Sequence, residues 1–186
     1  GFQIGYKIFH PCSIDRLTLQ TEYNYVRPYT YAHNNPFQNY GHYNQSLSHP
    51  LGANFSEILF IGNYKWKRFA IDAKIIFVKQ GQDYKDDSIS YGANVYNSTG
   101  TFENQQGVTL VSSGRPSDYG VEMYQGNLTT INFRSLDLSY IMNPATNLKI
   151  NIGITLRNSS SIDGGIKTRF INFGIMSDLF NHYYDI

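Results

Sequence analysis

The stretch of sequence that decides the fold is residues 148–157, LKINIGITLR. Every second residue in it is a large aliphatic, and the residues between them are polar, charged or glycine. A period of two is typical of a β-strand, because successive side chains of a strand point to opposite faces of its sheet. Residues 68–77, RFAIDAKIIF, and residues 16–25, RLTLQTEYNY, repeat the pattern. These segments therefore predict strands with one apolar face and one polar face.

Four further segments alternate less regularly, namely residues 2–8, 54–66, 131–142 and 168–179. Helical spacing of apolar residues is hard to find anywhere in the chain. The sequence thus predicts an all-β fold of about seven antiparallel strands. Several of them approach the roughly 9–11 residues with which a tilted strand crosses a bilayer.

The connections between these strands alternate in length. Short segments lie at 10–15, 66–67 and 143–145, and between them lie long polar segments at 33–53 and 82–126 and a medium one at 158–165. Short turns at one end and long loops at the other are the plan of a bacterial outer-membrane β-barrel, whose turns are periplasmic and whose loops are extracellular. On this interpretation the C-terminus is periplasmic. A soluble β-sandwich is the alternative, although it does not require loops sorted by side.

Aromatic residues cluster at both ends of the predicted strands. The cluster at the short-turn end consists of Tyr64, Trp66, Phe69, Tyr140, Phe180, Tyr183 and Tyr184. The cluster near the first long loop consists of Tyr23, Tyr25, Tyr29 and Tyr31. Amphipathic rings favour the depth of the lipid headgroups, so two such girdles favour a membrane barrel. The high strand propensity of Tyr and Phe is the plainer explanation.

Composition argues against several other classes of protein and site. No apolar run approaches the roughly 20 residues of a membrane-spanning helix. A net charge of +1 gives no basic excess of the kind that binds nucleic acid. The one cysteine, Cys12, allows neither an internal disulfide nor a thiolate metal cluster within these residues. We interpret Cys12 as an inert thiol in a short turn.

The polar faces of the predicted strands carry charges of both signs. These residues are Glu22, Asp72, Lys74, Asp137, Lys149 and Arg157. In a barrel they face the lumen, where they fix strand register and fill space, and the turn at 143–145 predicts Asp137 within cross-strand reach of Lys149. Single-chain bacterial barrels have even strand numbers of at least about 8. We therefore expect residues 1–186 to be the C-terminal portion of one larger barrel, with no second domain.

The sequence contains no catalytic signature of the nucleophile-elbow, phosphate-loop or zinc-protease type. We therefore expect no enzymatic activity, no cofactor and no metal. The histidines His33, His42 and His49 share one loop, but no acidic residue or cysteine lies between them, so we interpret them as scattered loop residues. A lipid-modifying enzyme that uses Ser46 or Ser48 with His49 is the disfavoured alternative.

Residues 32–54 read AHNNPFQNYGHYNQSLSHPLGAN and are dense in Tyr, His, Asn and Gln. Aromatic faces that stack and amides that donate hydrogen bonds are the groups with which proteins recognise sugars. The candidate glycan-binding residues are Tyr40, His42, Tyr43 and Asn44. A loop that folds over the barrel mouth or against a partner protein explains the same composition.

Three segments resemble one family: residues 22–34, EYNYVRPYTYAHN, residues 45–54, QSLSHPLGAN, and residues 179–185, LFNHYYD. Together they resemble the C-terminal part of the Wzi-like capsule-assembly family of Bacteroidota outer-membrane proteins, which includes gliding-motility-associated relatives of the RemB type. The resemblance spans most of the chain and is weakest over residues 82–126. It implies a large, non-enzymatic barrel at the cell surface. Its partners are then outer-membrane lipid and either surface polysaccharide, held in a lectin-like way, or the outer-membrane proteins of a gliding or type IX secretion complex.

Overall fold

The structure, a computed structural model, describes residues 1–33, 35, 38–43, 45–85, 89–97, 101–103, 109–111, 114–117 and 119–177. These residues form an all-β fold dominated by one seven-stranded antiparallel sheet. Its strands are β1 (Phe2–Phe9), β2 (Leu17–Val26), β5 (Phe55–Trp66), β6 (Phe69–Gln82), β9 (Asn127–Asn143), β10 (Leu148–Ser161) and β11 (Gly164–Met176). Two small hairpins lie in the long connections: β3 (Gly41–His42) with β4 (Gln45–Ser46), and β7 (Thr101–Glu103) with β8 (Thr109–Val111).

The seven strands of the sheet lie side by side in the order of the chain, each antiparallel to the next. This confirms the predicted all-β fold and the predicted number of strands. The edges are β1 and β11, so the described sheet is not closed. Among the described residues, no helix is long and apolar enough to cross a membrane.

One predicted connection is wrong. The medium loop expected at residues 158–165 is a two-residue turn at Ile162 and Asp163, because β10 and β11 stay paired as far as Ser161 and Gly164. Backbone pairing there continues through polar residues and needs no apolar alternation. Asn127 holds the turn from the neighbouring strand: its Nδ2 donates to Asp163 Oδ2 at 2.6 Å, and its Oδ1 accepts from the Ile162 backbone N–H at 3.3 Å.

The register gives the sheet two faces of opposite chemistry. We call the face that carries Ile150, Ile152 and Ile154 the apolar face, and the face that carries Asn151 and Thr155 the polar face. Directly paired residues share a face. One row of the apolar face reads Ile8, Leu19, Gly62, Ala73, Leu136, Ile154 and Ile171. One row of the polar face reads Phe9, Thr18, Asn63, Asp72, Asp137, Gly153 and Asn172.

Burial on the two faces is the reverse of that in a water-soluble sheet. The buried polar residues of the seven strands all lie on the polar face: Asn24, Glu57, Gln80, Asn127, Thr129, Ser139 and Asn151. Of the residues that these strands place on the apolar face, Gly81 at the loop end of β6 is buried, and the others are half-buried or exposed. Ile152 is 51% exposed and Phe173 is 73% exposed. The larger, more hydrophobic side chains are therefore the less shielded ones.

The apolar core lies under the loops rather than across the sheet. Val26, Ala53 and Phe55 form a buried cluster, against which Tyr31 and Leu51 pack. Val26 and Phe55 are paired neighbours on the polar face, at the end of the sheet from which the long loops leave. The connection 27–54 thus folds back over the polar face.

Asn54 joins both long connections to the sheet. Its side chain is fully buried, and its Nδ2 donates to the backbone oxygens of Gly81 and Gln125, each at 2.9 Å. Its Oδ1 accepts from the Tyr124 backbone N–H at 2.7 Å. The backbone of Asn54 has φ 59°, a left-handed conformation that Asn tolerates better than most residues. One side chain thereby ties residues 27–54, the end of β6 and residues 83–126 together.

The crowding at Gly81 makes this junction testable. A Cβ on Gly81 would lie 2.1 Å from the Gln125 oxygen and 2.3 Å from Asn54 Nδ2, whereas a Cβ on Gly174, another strand glycine, meets nothing within 4 Å. Because overpacking against backbone typically costs about 1–3 kcal/mol, Gly81→Ala is expected to lower the free energy of unfolding by that amount. Thermal unfolding measures it.

Gly174→Ala is the matched control, and its effect is expected to stay within about 0.5 kcal/mol. Equal melting temperatures for the two variants would contradict the junction.

Candidate functional site

The candidate glycan-binding residues lie on the small hairpin β3–β4 and the segment that leads into it. Tyr43 occupies the hairpin turn with φ 48° and is 89% exposed. The His42 ring stands edge-on to the Tyr43 ring, with the ring centroids 4.3 Å apart. Three of the four predicted residues, Tyr40, His42 and Tyr43, therefore share one hairpin. Asn44 lies outside the described residues.

Tyr31 packs against the start of this hairpin. Its ring stacks on Tyr40 with centroids 5.6 Å apart, and its backbone oxygen accepts from the Tyr40 N–H at 3.1 Å. The sequence pattern assigned Tyr29 and Tyr31 to an aromatic girdle, and that assignment is wrong, because both lie beyond the end of β2 and pack within the loops. The hairpin presents an exposed aromatic tip on a packed aromatic base, which suits stacking against a flat, weakly polar ligand surface.

Tyr29 ties the two long connections together instead. Its hydroxyl donates to the Ser90 backbone oxygen at 2.6 Å and accepts from Gln125 Nε2 at 3.1 Å. Burial raises the pKa of this hydroxyl above its ordinary value, because removal from water disfavours the phenolate. The Tyr29 backbone N–H donates to the Gly92 oxygen at 2.9 Å, where φ of +86° requires glycine. No sequence signal identified these cross-loop contacts.

A cavity of about 370 Å³ opens beside the hairpin, between residues 46–52 and residues 93–96. Its wall includes Ser46, Ser48 and His49, the residues of the disfavoured enzymatic alternative. The two serine hydroxyls lie 2.6 Å from each other. Serine and histidine side chains thus line one cavity. Whether His49 can act as a base toward either serine depends on the partners of its two ring nitrogens.

Both nitrogens of His49 are occupied by other groups. Nδ1 accepts from the Leu51 backbone N–H at 3.2 Å, and Nε2 lies 3.3 Å from Glu57 Oε2. The same carboxylate oxygen accepts from Asn24 Nδ2 at 2.8 Å. Since a general base must reach the proton that it removes, this arrangement leaves neither nitrogen for Ser46 or Ser48. His49 and Glu57 instead fasten the loop to the polar face.

His33, His42 and Cys12 belong to no cluster of metal-ligating side chains among the described residues. His33 Nδ1 accepts from the Asn35 N–H at 3.1 Å, and His42 packs on Tyr43. In the part of the chain that the structure describes, no three His, Cys, Asp or Glu residues come close enough to hold a metal ion. Cys12 is exposed in the short 3-10 turn Pro11–Ser13 between β1 and β2.

All six charged residues expected in a lumen lie on the polar face: Glu22, Asp72, Lys74, Asp137, Lys149 and Arg157. Glu22 accepts from Gln3 Nε2 at 2.9 Å and from Gln20. Asp72 accepts from Asn63 and lies directly opposite Asp137 on the next strand. Side-chain amides therefore supply the hydrogen-bond partners of two of these carboxylates, Glu22 and Asp72.

The expected approach of Asp137 to Lys149 is wrong. Lys149 pairs with Ile141, and Asp137 pairs with Gly153, four residues further along β10. At about 3.3 Å per residue, that separation places them roughly 13 Å apart along the strand. The longer turn and the irregularity between Leu148 and Lys149 shift the register from the one the short turn predicts. Asp137 instead reaches over Gly153.

Against known proteins, the chain matches no protein-family model, no curated protein and no solved structure.

Proposed function

We propose that this chain forms part of the wall and surface loops of a non-enzymatic outer-membrane β-barrel that binds surface polysaccharide. The apolar face lies against lipid, the polar face against the lumen, and the long loops outside the cell. The observation that carries the proposal is the inverted burial of the sheet. Soluble monomers rarely expose contiguous apolar patches larger than a few hundred Å², whereas here the apolar side of seven strands is uncovered.

The outline of the apolar face supports a tilted barrel wall. Apolar residues extend toward the long loops as far as Phe2 and Tyr25 on β1 and β2, whereas the continuous apolar runs of β9 and β11 end at the row of Leu136 and Ile171. On β9, Leu128 lies beyond its run and is separated from it by polar residues. Three rows of about 6.7 Å over six strand spacings of about 4.8 Å give a slant of roughly 35°. Strands of outer-membrane barrels tilt by about 35–45°.

The height of the apolar face supports the same placement. On β6 it runs from Phe69 to Phe77, about 26 Å along the strand and roughly 22 Å along the membrane normal at this tilt. The apolar band of such barrels is about 25 Å tall. At the short-turn edge, Phe69 packs between Trp66 and Tyr140, with ring centroids 6.1 and 5.1 Å apart.

Aromatic rings also lie at the opposite, loop-side edge of the apolar face. There Phe2 contacts Tyr23 and Tyr25, with centroids 5.8 and 5.3 Å apart. Closure requires further strands that pair with β1 and β11, since seven are fewer than the smallest single-chain bacterial barrel has.

The proposal that the loops bind surface polysaccharide rests on the hairpin β3–β4. Its exposed Tyr43 and stacked Tyr40 present aromatic faces at the loop end of the sheet.

A charged residue introduced by substitution on each face in turn distinguishes a lipid-facing barrel wall from a soluble sheet. Ile152→Arg is expected to destabilise the protein folded in lipid vesicles by about 2–4 kcal/mol, the cost of Arg at the bilayer midplane. Thr155→Arg, on the polar face of the same strand, is the control and is expected to insert normally. In a soluble sheet Ile152 is already half-exposed to water, so a harmless Ile152→Arg would contradict the barrel.

The glycan assignment is tested at the hairpin tip. Tyr43→Ala in the full-length protein is expected to weaken binding of the polysaccharide purified from the producing bacterium by about 2- to 10-fold, the range for one aromatic contact. The matched control is Tyr119→Ala, because Tyr119 is 88% exposed in the other long connection. Unchanged binding after Tyr43→Ala combined with Tyr40→Ala would remove the hairpin from glycan recognition and favour a role in a secretion or motility complex.

A further inference from the structure

Charge is divided between the two faces of the sheet in an unexpected way. All four carboxylates of the seven strands lie on the polar face: Glu22, Glu57, Asp72 and Asp137. The apolar face carries no carboxylate in these strands but four cations: Lys79, Arg134, Lys167 and Arg169. The face that we place against lipid thus holds positive charges with no carboxylate beside them on that face. The position of these cations on the sheet indicates which kind of anion can neutralise them.

The four cations follow the loop-side edge of the apolar face. On β9 and β11, Arg134 and Arg169 come directly after Leu136 and Ile171, where the continuous apolar runs from the short-turn end stop. On β6, Lys79 comes directly after Phe77. Lys79 therefore lies two rows nearer the loops than Arg134 and Arg169, and the apolar boundary falls by the same two rows between β6 and β9. That boundary is the level of the outer-leaflet headgroups in the proposed orientation.

Three of the cations converge on one cleft of about 230 Å³. Arg134 and Arg169 share a row and flank Leu156, and Lys167 lies in the next row toward the loops. Asn132 and Asn158 add amides to the same cleft. The two arginines are roughly 10 Å apart at their backbones, a separation from which two long side chains reach a common anion.

The cluster, which we call the rim cations (Arg134, Lys167 and Arg169), has no acidic partner among the described residues. All three are exposed, and the one ion pair in the described part of the chain joins His49 to Glu57. Arg134 Nε donates to Asn132 Oδ1 at 3.1 Å, which leaves its terminal amino groups available. Guanidinium groups bind phosphate oxygens in bidentate fashion, more strongly than neutral donors do.

Resting on the barrel proposed above, we propose that the rim cations bind the phosphate group of a phosphorylated lipid of the outer leaflet. The acyl chains of that lipid lie on the apolar face directly below. A soluble polyanion is a poorer match, because the cations are continuous with Leu136, Leu156 and Ile171 and share their face. The site therefore recognises a molecule with a phosphate above and hydrocarbon beneath.

The experiment uses full-length protein extracted from its own outer membrane in mild detergent. Phosphorylated lipid that co-purifies is quantified by native mass spectrometry for the wild type and for the triple variant Arg134→Gln, Lys167→Gln, Arg169→Gln. Retention is expected to fall at least about tenfold, because charge-assisted hydrogen bonds are lost. The charge-matched control is Lys65→Gln, Lys74→Gln, Lys149→Gln on the polar face, which is expected to retain the lipid.

A second arm adds vesicles that contain either the phosphorylated lipid or its enzymatically dephosphorylated form, and only the phosphorylated form is expected to bind. Equal binding of both forms, equal retention by the triple variant, or equal loss in the control would each overturn the site. The orientation of the barrel is checked separately, in cells that produce the same wild-type protein. A membrane-impermeant maleimide is expected to label Cys12 only after the outer membrane is permeabilised, and labelling in intact cells would overturn the orientation instead.

Discussion

The pairing register of the sheet is the constraint on which the rest of the structure depends. Because side chains alternate with a period of two, a slip of one residue in any strand would exchange its apolar and polar sets. Ile152 would then join the face of Asp137, and Asp72 would join the face of Phe69. The antiparallel pairing from β1 to β11, with one irregularity between Leu148 and Lys149, keeps these sets apart over seven strands. The exposed apolar face, the amide-rich polar face and the rim cations all follow from that register.

The loops supply the packing that the sheet itself lacks. A soluble sheet buries its apolar face against a second layer, whereas here the small core of Val26, Ala53 and Phe55 forms between loop and polar face. Asn54 then holds both long connections with one buried amide. The contact between His49 and Glu57 fastens the same loop and engages the histidine that lies near Ser46 and Ser48. The loops thus form a packed cap that presents Tyr43.

Strand number, face and order were predictable from the sequence because residues such as Ile150 to Leu156 alternate cleanly where one face is apolar. The ends of β10 and β11 were not predictable, because Asn158 to Ser161 are polar on both faces and no apolar alternation marks them as a strand. The register of Asp137 and Lys149 depended on the geometry of one turn, which the residues Asn143 to Ala145 do not determine.

The candidate site was predictable to a similar extent. An aromatic loop indicated Tyr40, His42 and Tyr43, but the stacking of Tyr31 and the junction at Asn54 depend on contacts distant in sequence. The grouping of the rim cations was not predictable from the sequence either. The alternation pattern of β9 breaks at Arg134, and only the register across three strands brings that residue beside Arg169 and Lys167.

The central claim is that the apolar face of this sheet contacts lipid. Nitroxide labels placed singly at residues 149–157 of β10, in full-length protein in outer-membrane vesicles and with Cys12 replaced by Ser, test it directly. Collision with oxygen, which concentrates in hydrocarbon, is expected to be greatest at positions 150, 152, 154 and 156. Collision with a water-soluble nickel complex is expected to be least at those same positions. Ready collision of the nickel complex with labels at 150, 152 and 154 would mean that water covers the apolar face, and would contradict the account.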